Sequence, residues 1–217
     1  MTNNEFVENE DFGEKVGNLV DKLVKIENND EASKNKIIGL LQDINEEILK
    51  HKIIADQYTI YPIWVEAYYS NENFQDPSCH DRTNVLGQFM FRKHNIGRGG
   101  VDLYLGKPDK DYYLSFLIKL AIIQVGNQQP ELCSQIAIKC RLNGYIDKDL
   151  EFIKYDLNRN HFEIVEDKRV GLREERCPDH YNLPLASYIE EVGKKRSYAT
   201  LRKKEELYIE LINNARV

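Results

Sequence analysis

Glu66 is the residue whose setting most invites chemistry. It closes the apolar run Ile63-Trp64-Val65 and is followed by Ala67-Tyr68-Tyr69. A carboxylate entering apolar, aromatic surroundings tends to hold its proton more tightly and can serve as a base near neutral pH. Strand alternation also allows the plainer alternative of an edge-strand glutamate facing water. Cys79-His80 and Cys177-x-x-His180 carry zinc-ligand residue types, but their spacing matches no closed four-ligand pattern, so no metal is expected. The segment His94-Asn95-Ile96-Gly97-Arg98-Gly99-Gly100 exposes backbone N–H groups as a phosphate cradle does. It fits neither a P-loop nor a dinucleotide fingerprint, and a flexible turn between strands is its other reading. Arg92, Lys93, His94 and Arg98 make it basic, as a loop touching a nucleic-acid backbone would be.

Taken in order, several segments resemble one family. Trp64-Val65-Glu66-Ala67-Tyr68, with His80 after an acidic loop, is similar to the catalytic strand of methylpurine-DNA glycosylases. Phe116-Leu117-Ile118-Lys119-Leu120 stands where that family has an apolar strand ending in arginine. Lys168-Arg169-Val170-Gly171-Leu172 resembles its Arg-Val-Gly turn, and Leu183-Pro184-Leu185-Ala186-Ser187-Tyr188 the strand that follows. The resemblance spans residues about 60 to 190.

It implies an enzyme that extrudes a modified purine nucleotide from double-stranded DNA into a pocket. Glu66 would take a proton from a water attacking the anomeric carbon. Tyr68 and His80 would face the extruded base, Lys119 would stand in for the pocket arginine, and Arg169 would bind a phosphate. No cofactor and no lysine Schiff base are implied. The family's tyrosine-rich hairpin corresponds here to Gly99–Gly106, with Leu105 at the position of the side chain wedged into the duplex. Leucine can still act as a wedge. Asp102 replaces the pocket tyrosine; it cannot stack, and it favours an amino or cationic group over a phosphate. Arg92, Arg98, Tyr104 and Leu105 complete the expected DNA-contacting set.

These residues need elements to hold them. Val16, Leu19, Val20, Leu23 and Val24 recur at helical spacing, and so do Ile37, Leu41, Ile44 and Ile48 beyond a capping break. From residue 51 the pattern turns to Ile, Val, Tyr and Trp, which predicts strands over 51–55 and 60–68. Val101 to Gly106 reads as a strand, and Tyr112 to Gln124 as a buried one. The pattern predicts helix over about 130–143 and again over 147–154. Phe162 to Leu172 reads as strand and turn. Leu183 to Val192 reads as a short strand or a helix start, and 200–214 as a terminal helix. Strands with helices at either end predict a single α+β domain with a curved antiparallel sheet, resembling the methylpurine-DNA glycosylase fold. Residues 1–50 are packed on or appended to a glycosylase-like unit over 51–217.

The chain of 217 residues is 41% hydrophobic and 30% charged, a globular composition. No run is long and apolar enough to span a bilayer. The acidic N-terminus is unlike a signal peptide, which predicts a cytoplasmic protein with reduced thiols. Residues 1–50 hold 12 acids and 6 bases, leaving 24 of each sign in the remainder. The global charge therefore neither excludes nor supports DNA. Lys194, Lys195, Arg196, Arg202, Lys203 and Lys204 form an acid-free run, which suits a solvated helix face or a phosphate-contacting surface.

Two readings follow. One is a monomeric, monofunctional N-glycosylase of DNA repair. The other is a non-catalytic binding protein on the same scaffold, docking a protein partner through the acidic N-terminal helices.

Overall fold

The computed structural model describes residues 11–79, 90–93, 100–105, 111–142, 150–155, 157 and 161–214. Two helices come first, α1 (Phe12–Val24) and α2 (Glu31–Leu49). Phe12, Val16, Val20 and Leu23 repeat at three to four residues, so α1 buries one stripe. The Asp30 side chain caps α2 by accepting the Ser33 N–H at 2.7 Å, which satisfies one of the orphan donors of the first turn.

The sheet is built on two long strands, β2 (Tyr58–Ser70) and β5 (Tyr113–Val125), each of 13 residues. They pair antiparallel along their whole length, from Tyr58 opposite Val125 to Ser70 opposite Tyr113. Their outer edges are each shared by two short strands. On β2, the first residues pair with β1 (His51–Ala55), and Trp64 to Glu66 pair with β9 (Ala186–Glu191). On β5, the first residues pair with β4 (Val101–Tyr104), and Leu120 to Ile123 pair with β6 (Glu131–Ser134). The antiparallel sheet is completed by β3 (Met90–Lys93) on β4, β7 (Glu151–Lys154) on β1 and β8 (Phe162–Asp167) on β9. Pro62 lies on β2 between its pairings with β1 and β9, where a missing N–H disrupts least.

The fork is also where the ladder is irregular. Pro62 faces Ala121 and Trp64 faces Leu120, so Ile63 is the extra residue on β2. Trp64 faces Leu120 and Val65 faces Ile118, so Lys119 is the extra residue on β5. Such bulges bend a strand and re-aim a side chain.

Helices α3 (Gln135–Arg141), α4 (Tyr198–Leu201) and α5 (Glu205–Asn214) complete the described elements. The α1 and α2 stripes join one apolar cluster with Val65, Ala67, Tyr69, Leu114, Phe116 and Ile189. Helices α1 and α2 thus contribute directly to the core against which the sheet packs. Asn45 of α2, fully buried, donates to the Leu185 carbonyl and the Ser187 hydroxyl, tying the helix to β9. A smaller cluster around Ile53, Ile60, Ala121 and Ile138 lies on the other face of the sheet, where α3 packs.

The architecture is α+β, with an unclosed, mostly antiparallel sheet flanked by helices. Two local expectations are corrected. Residues 131–134 are strand β6, so that helix is confined to Gln135–Arg141; residues 151–154 are strand β7, held by its ladder with β1. Segment 186–191, open between strand and helix, is strand β9. No helix among the described residues is long and apolar enough to cross a membrane.

Candidate functional site

Glu66 stands just beyond the fork, fully buried. It faces Leu117 on β5, which in turn faces Asp102 on β4, so the three share one row across the sheet. The next row on the same face is Tyr68, Ser115 and Tyr104. Glu66 and Asp102 are thus buried acids on one face, separated by the Leu117 side chain.

Both Glu66 oxygens are engaged. Oε1 accepts the backbone N–H of Val170 at 2.8 Å. Oε2 accepts the Tyr68 hydroxyl at 3.0 Å and the Lys119 ammonium at 3.4 Å. Lys119 Nζ also donates to the Val170 carbonyl at 3.1 Å, so Glu66, Lys119 and Val170 form a closed polar group. Burial, and then the charge of Glu66, push the Tyr68 hydroxyl well above its ordinary range, keeping it a neutral donor.

Lys119 owes its position to the bulge. Its own carbonyl accepts the Tyr198 hydroxyl from α4 at 3.1 Å. Tyr198 packs edge-on against Trp64, and Trp64 stacks on Tyr188 with ring centroids 4.4 Å apart. An aromatic brace from three elements therefore fixes the irregular backbone beneath the amine.

Val170 is delivered by the turn that follows β8. Gly171 has φ of +92°, a conformation that favours glycine and lets the chain fold back over β2. Arg169 anchors this turn: Nη1 donates to Asp76 Oδ2 at 2.6 Å and to the Ala67 carbonyl at 3.2 Å. Burial acts to lower the Arg169 guanidinium, but the Asp76 charge overrides it and holds it above its usual value. The guanidinium lies 4.6 Å from the Tyr68 ring centre, a cation–π arrangement. Its Nε and Nη2 are buried without a hydrogen-bond partner. Asp76 is presented by a loop whose Asn71 side chain accepts the N–H groups of Asn73 and Phe74.

The structure thus brings Glu66, Tyr68, Lys119 and Arg169 together, with Asp102 two strands from Glu66, across β5. Tyr104 lies in the neighbouring row of that face, and Leu105 is otherwise placed. The Tyr104 hydroxyl is 3.2 Å from that of Tyr113, and Leu105 packs into the main apolar cluster. Arg92 sits on β3 in register with Asp102. His80 and Arg98 lie outside the described residues. In the basic run, Lys194 pairs with Glu191, Lys195 with Asp167, and Arg196 with Glu190 and Glu191. Half of that run is therefore engaged with acids of the sheet.

Three participants were not visible as site residues in the sequence. Asp76 lies in a polar loop with no local mark of a partner 93 residues away. Val170 contributes backbone atoms, which no residue type reveals. Tyr198 acts through a carbonyl on another element. A lysine inside the apolar run of β5 was the one available signal for the bulge. Among the described residues no group of three or more His, Cys, Asp or Glu side chains gathers as a metal site would require.

The geometry is that of a buried carboxylate fixed by a cation, a phenol and a backbone N–H, beneath a turn anchored by a second ion pair. No protein-family model, curated protein or solved structure matches this chain.

Proposed function

We propose that the chain is a DNA N-glycosylase with the fold and mechanism of the methylpurine-DNA glycosylases, acting on a modified purine in double-stranded DNA. The observation that carries this reading is the convergence of Lys119, Tyr68 and the Val170 backbone on the Glu66 carboxylate. A glycosylase of this type needs a carboxylate that stays in place while water attacks a sugar carbon, and polar groups beside it to orient that water. Glu66 takes the proton, and Lys119 with the Val170 carbonyl holds the attacking water. Arg169 covers one face of Tyr68; the extruded base stacks on the other. Asp102, in the same row, receives an amino or cationic edge of the base. The reaction requires no cofactor, and the protein acts as a cytoplasmic monomer. Replacing Glu66 by Gln is expected to lower base release by about 10²–10⁴-fold, the usual contribution of a general base. An unchanged rate would contradict the mechanism.

A specific observation favours a second reading. Leu105 and Arg169 are buried, and Lys194, Lys195 and Arg196 are paired with acids, so several groups that would grip a duplex are engaged internally. On this reading the scaffold binds a protein partner through the acidic outer faces of α1 and α2. Duplex affinity separates the two: a DNA-acting enzyme binds more tightly as salt falls, and the interaction protein shows no such dependence.

A further inference from the structure

We propose that Lys119 is an amine nucleophile, and that the site also acts as a lyase on the sugar aldehyde of abasic DNA. This rests on the glycosylase reading for its DNA partner, but on different atoms for its chemistry.

Three observations on Lys119 carry it. The residue is the extra one in a β-bulge between two long central strands, a device that aims a side chain where a regular ladder would not. Its backbone is fixed by the Tyr198 hydroxyl and the aromatic stack beneath. Its side chain is only 11% exposed, yet Nζ reaches Glu66 Oε2. A lysine placed only to neutralise a buried carboxylate requires none of this backbone apparatus. Removal of a lysine amine from water favours its neutral, nucleophilic form, and an adjacent carboxylate supplies the base that takes its proton, as Schiff-base chemistry requires.

The steps balance within the pair. The Lys119 ammonium gives a proton to Glu66, and the neutral amine adds to C1′ of the open-chain abasic sugar, forming the C–N bond. Glu66 returns the proton to the carbinolamine hydroxyl, which leaves as water, giving a protonated imine. The Glu66 carboxylate then takes a proton from C2′, and the C3′–O bond breaks with its electron pair departing on the 3′-phosphate. Water hydrolyses the imine, releasing the unsaturated sugar aldehyde and the free amine. No oxidant or reductant enters.

The test uses the full chain, a duplex oligonucleotide carrying an aldehydic abasic site, and sodium borohydride to reduce any imine. The expected result is a covalent protein–DNA adduct on a denaturing gel, mapped by peptide mass to Lys119. The adduct should be lost when a tetrahydrofuran analogue lacking the aldehyde replaces the abasic site. It should also be lost in Lys119→Arg, which keeps the positive charge but cannot form an imine. No adduct, or one mapped to another amine, overturns the proposal whether or not the arginine variant folds. Base release measured in parallel keeps the two readings apart. Release from a lesion without an adduct sinks the lyase and leaves the glycosylase. An adduct on Lys119 without release from any lesion sinks the glycosylase and leaves the amine chemistry.

Discussion

The ammonium of Lys119 lies 3.4 Å from Glu66 Oε2, and both side chains are held off the solvent by the turn that carries Val170. A buried pair of this kind is sensitive to loss of one partner, because the remaining charge is left without compensation. Lys119→Met is expected to destabilise the fold by about 3–5 kcal/mol. Adding Glu66→Gln to that variant should recover a substantial part, since the orphaned charge is then gone. Chemical denaturation of the two single variants and the double variant checks this. Strict additivity would mean that the two side chains do not interact.

The turn over Glu66 depends on Gly171. Nothing lies within 4 Å of where a Cβ would stand, so a side chain there meets backbone strain at φ +92° rather than a clash. Gly171→Ala is expected to cost about 1–2 kcal/mol, the usual penalty for a left-handed residue. It should also loosen the Val170 N–H from Glu66, which amide hydrogen exchange at Val170 would report as faster exchange. Unaltered stability and exchange would show that the turn tolerates other geometries.

Gly100 meets the opposite constraint. An added Cβ would come within 2.5 Å of Leu117 Cδ1, and Leu117 separates Glu66 from Asp102 in their shared row. Gly100→Ala should therefore cost about 1–3 kcal/mol by overpacking. Shortening the neighbour with Leu117→Ala in the same chain should relieve the clash, so the pair is less destabilised than the sum of the singles. A thermal-unfolding comparison decides it.

Much of this architecture could be read from the residues. Helices α1 and α2 were legible because their apolar positions hold a helical period for several turns. The long strands β2 and β5 were legible because β-branched and aromatic residues crowd them. Strands β6 and β7 were not, since four-residue segments show too little periodicity to separate strand from helix, and only pairing with β5 and β1 decides them. Glu66, Tyr68, Lys119 and Arg169 were named from the sequence. Their closure into one polar group depends on a bulge, a turn and Asp76, all set by contacts between distant segments.

Acid sensitivity should appear at His51. Burial holds its imidazole below the usual 6.5, and its Nδ1 lies 2.6 Å from the Glu47 carbonyl. His180 is likewise held below 6.5 by burial. A histidine kept neutral in the fold takes up its proton more readily when unfolded. The stability it contributes is therefore present above about pH 6.5 and declines as pH falls through the folded value. Glu47 acts at lower pH: burial raises its carboxyl, but the Lys15 ammonium at 2.9 Å and Lys50 hold it below 4.5. His51→Gln should flatten the stability profile between pH 7 and 5 relative to the parent. Parallel profiles would remove His51 as the cause.

The most direct measurement is base release from duplex oligonucleotides carrying alkylated or deaminated purines, comparing the parent chain with Glu66→Gln. Release of one such base by the parent is expected, and its loss in a variant that remains folded and still binds the duplex. Absence of release by the folded parent on every lesion, or release that persists in Glu66→Gln, would contradict the glycosylase reading.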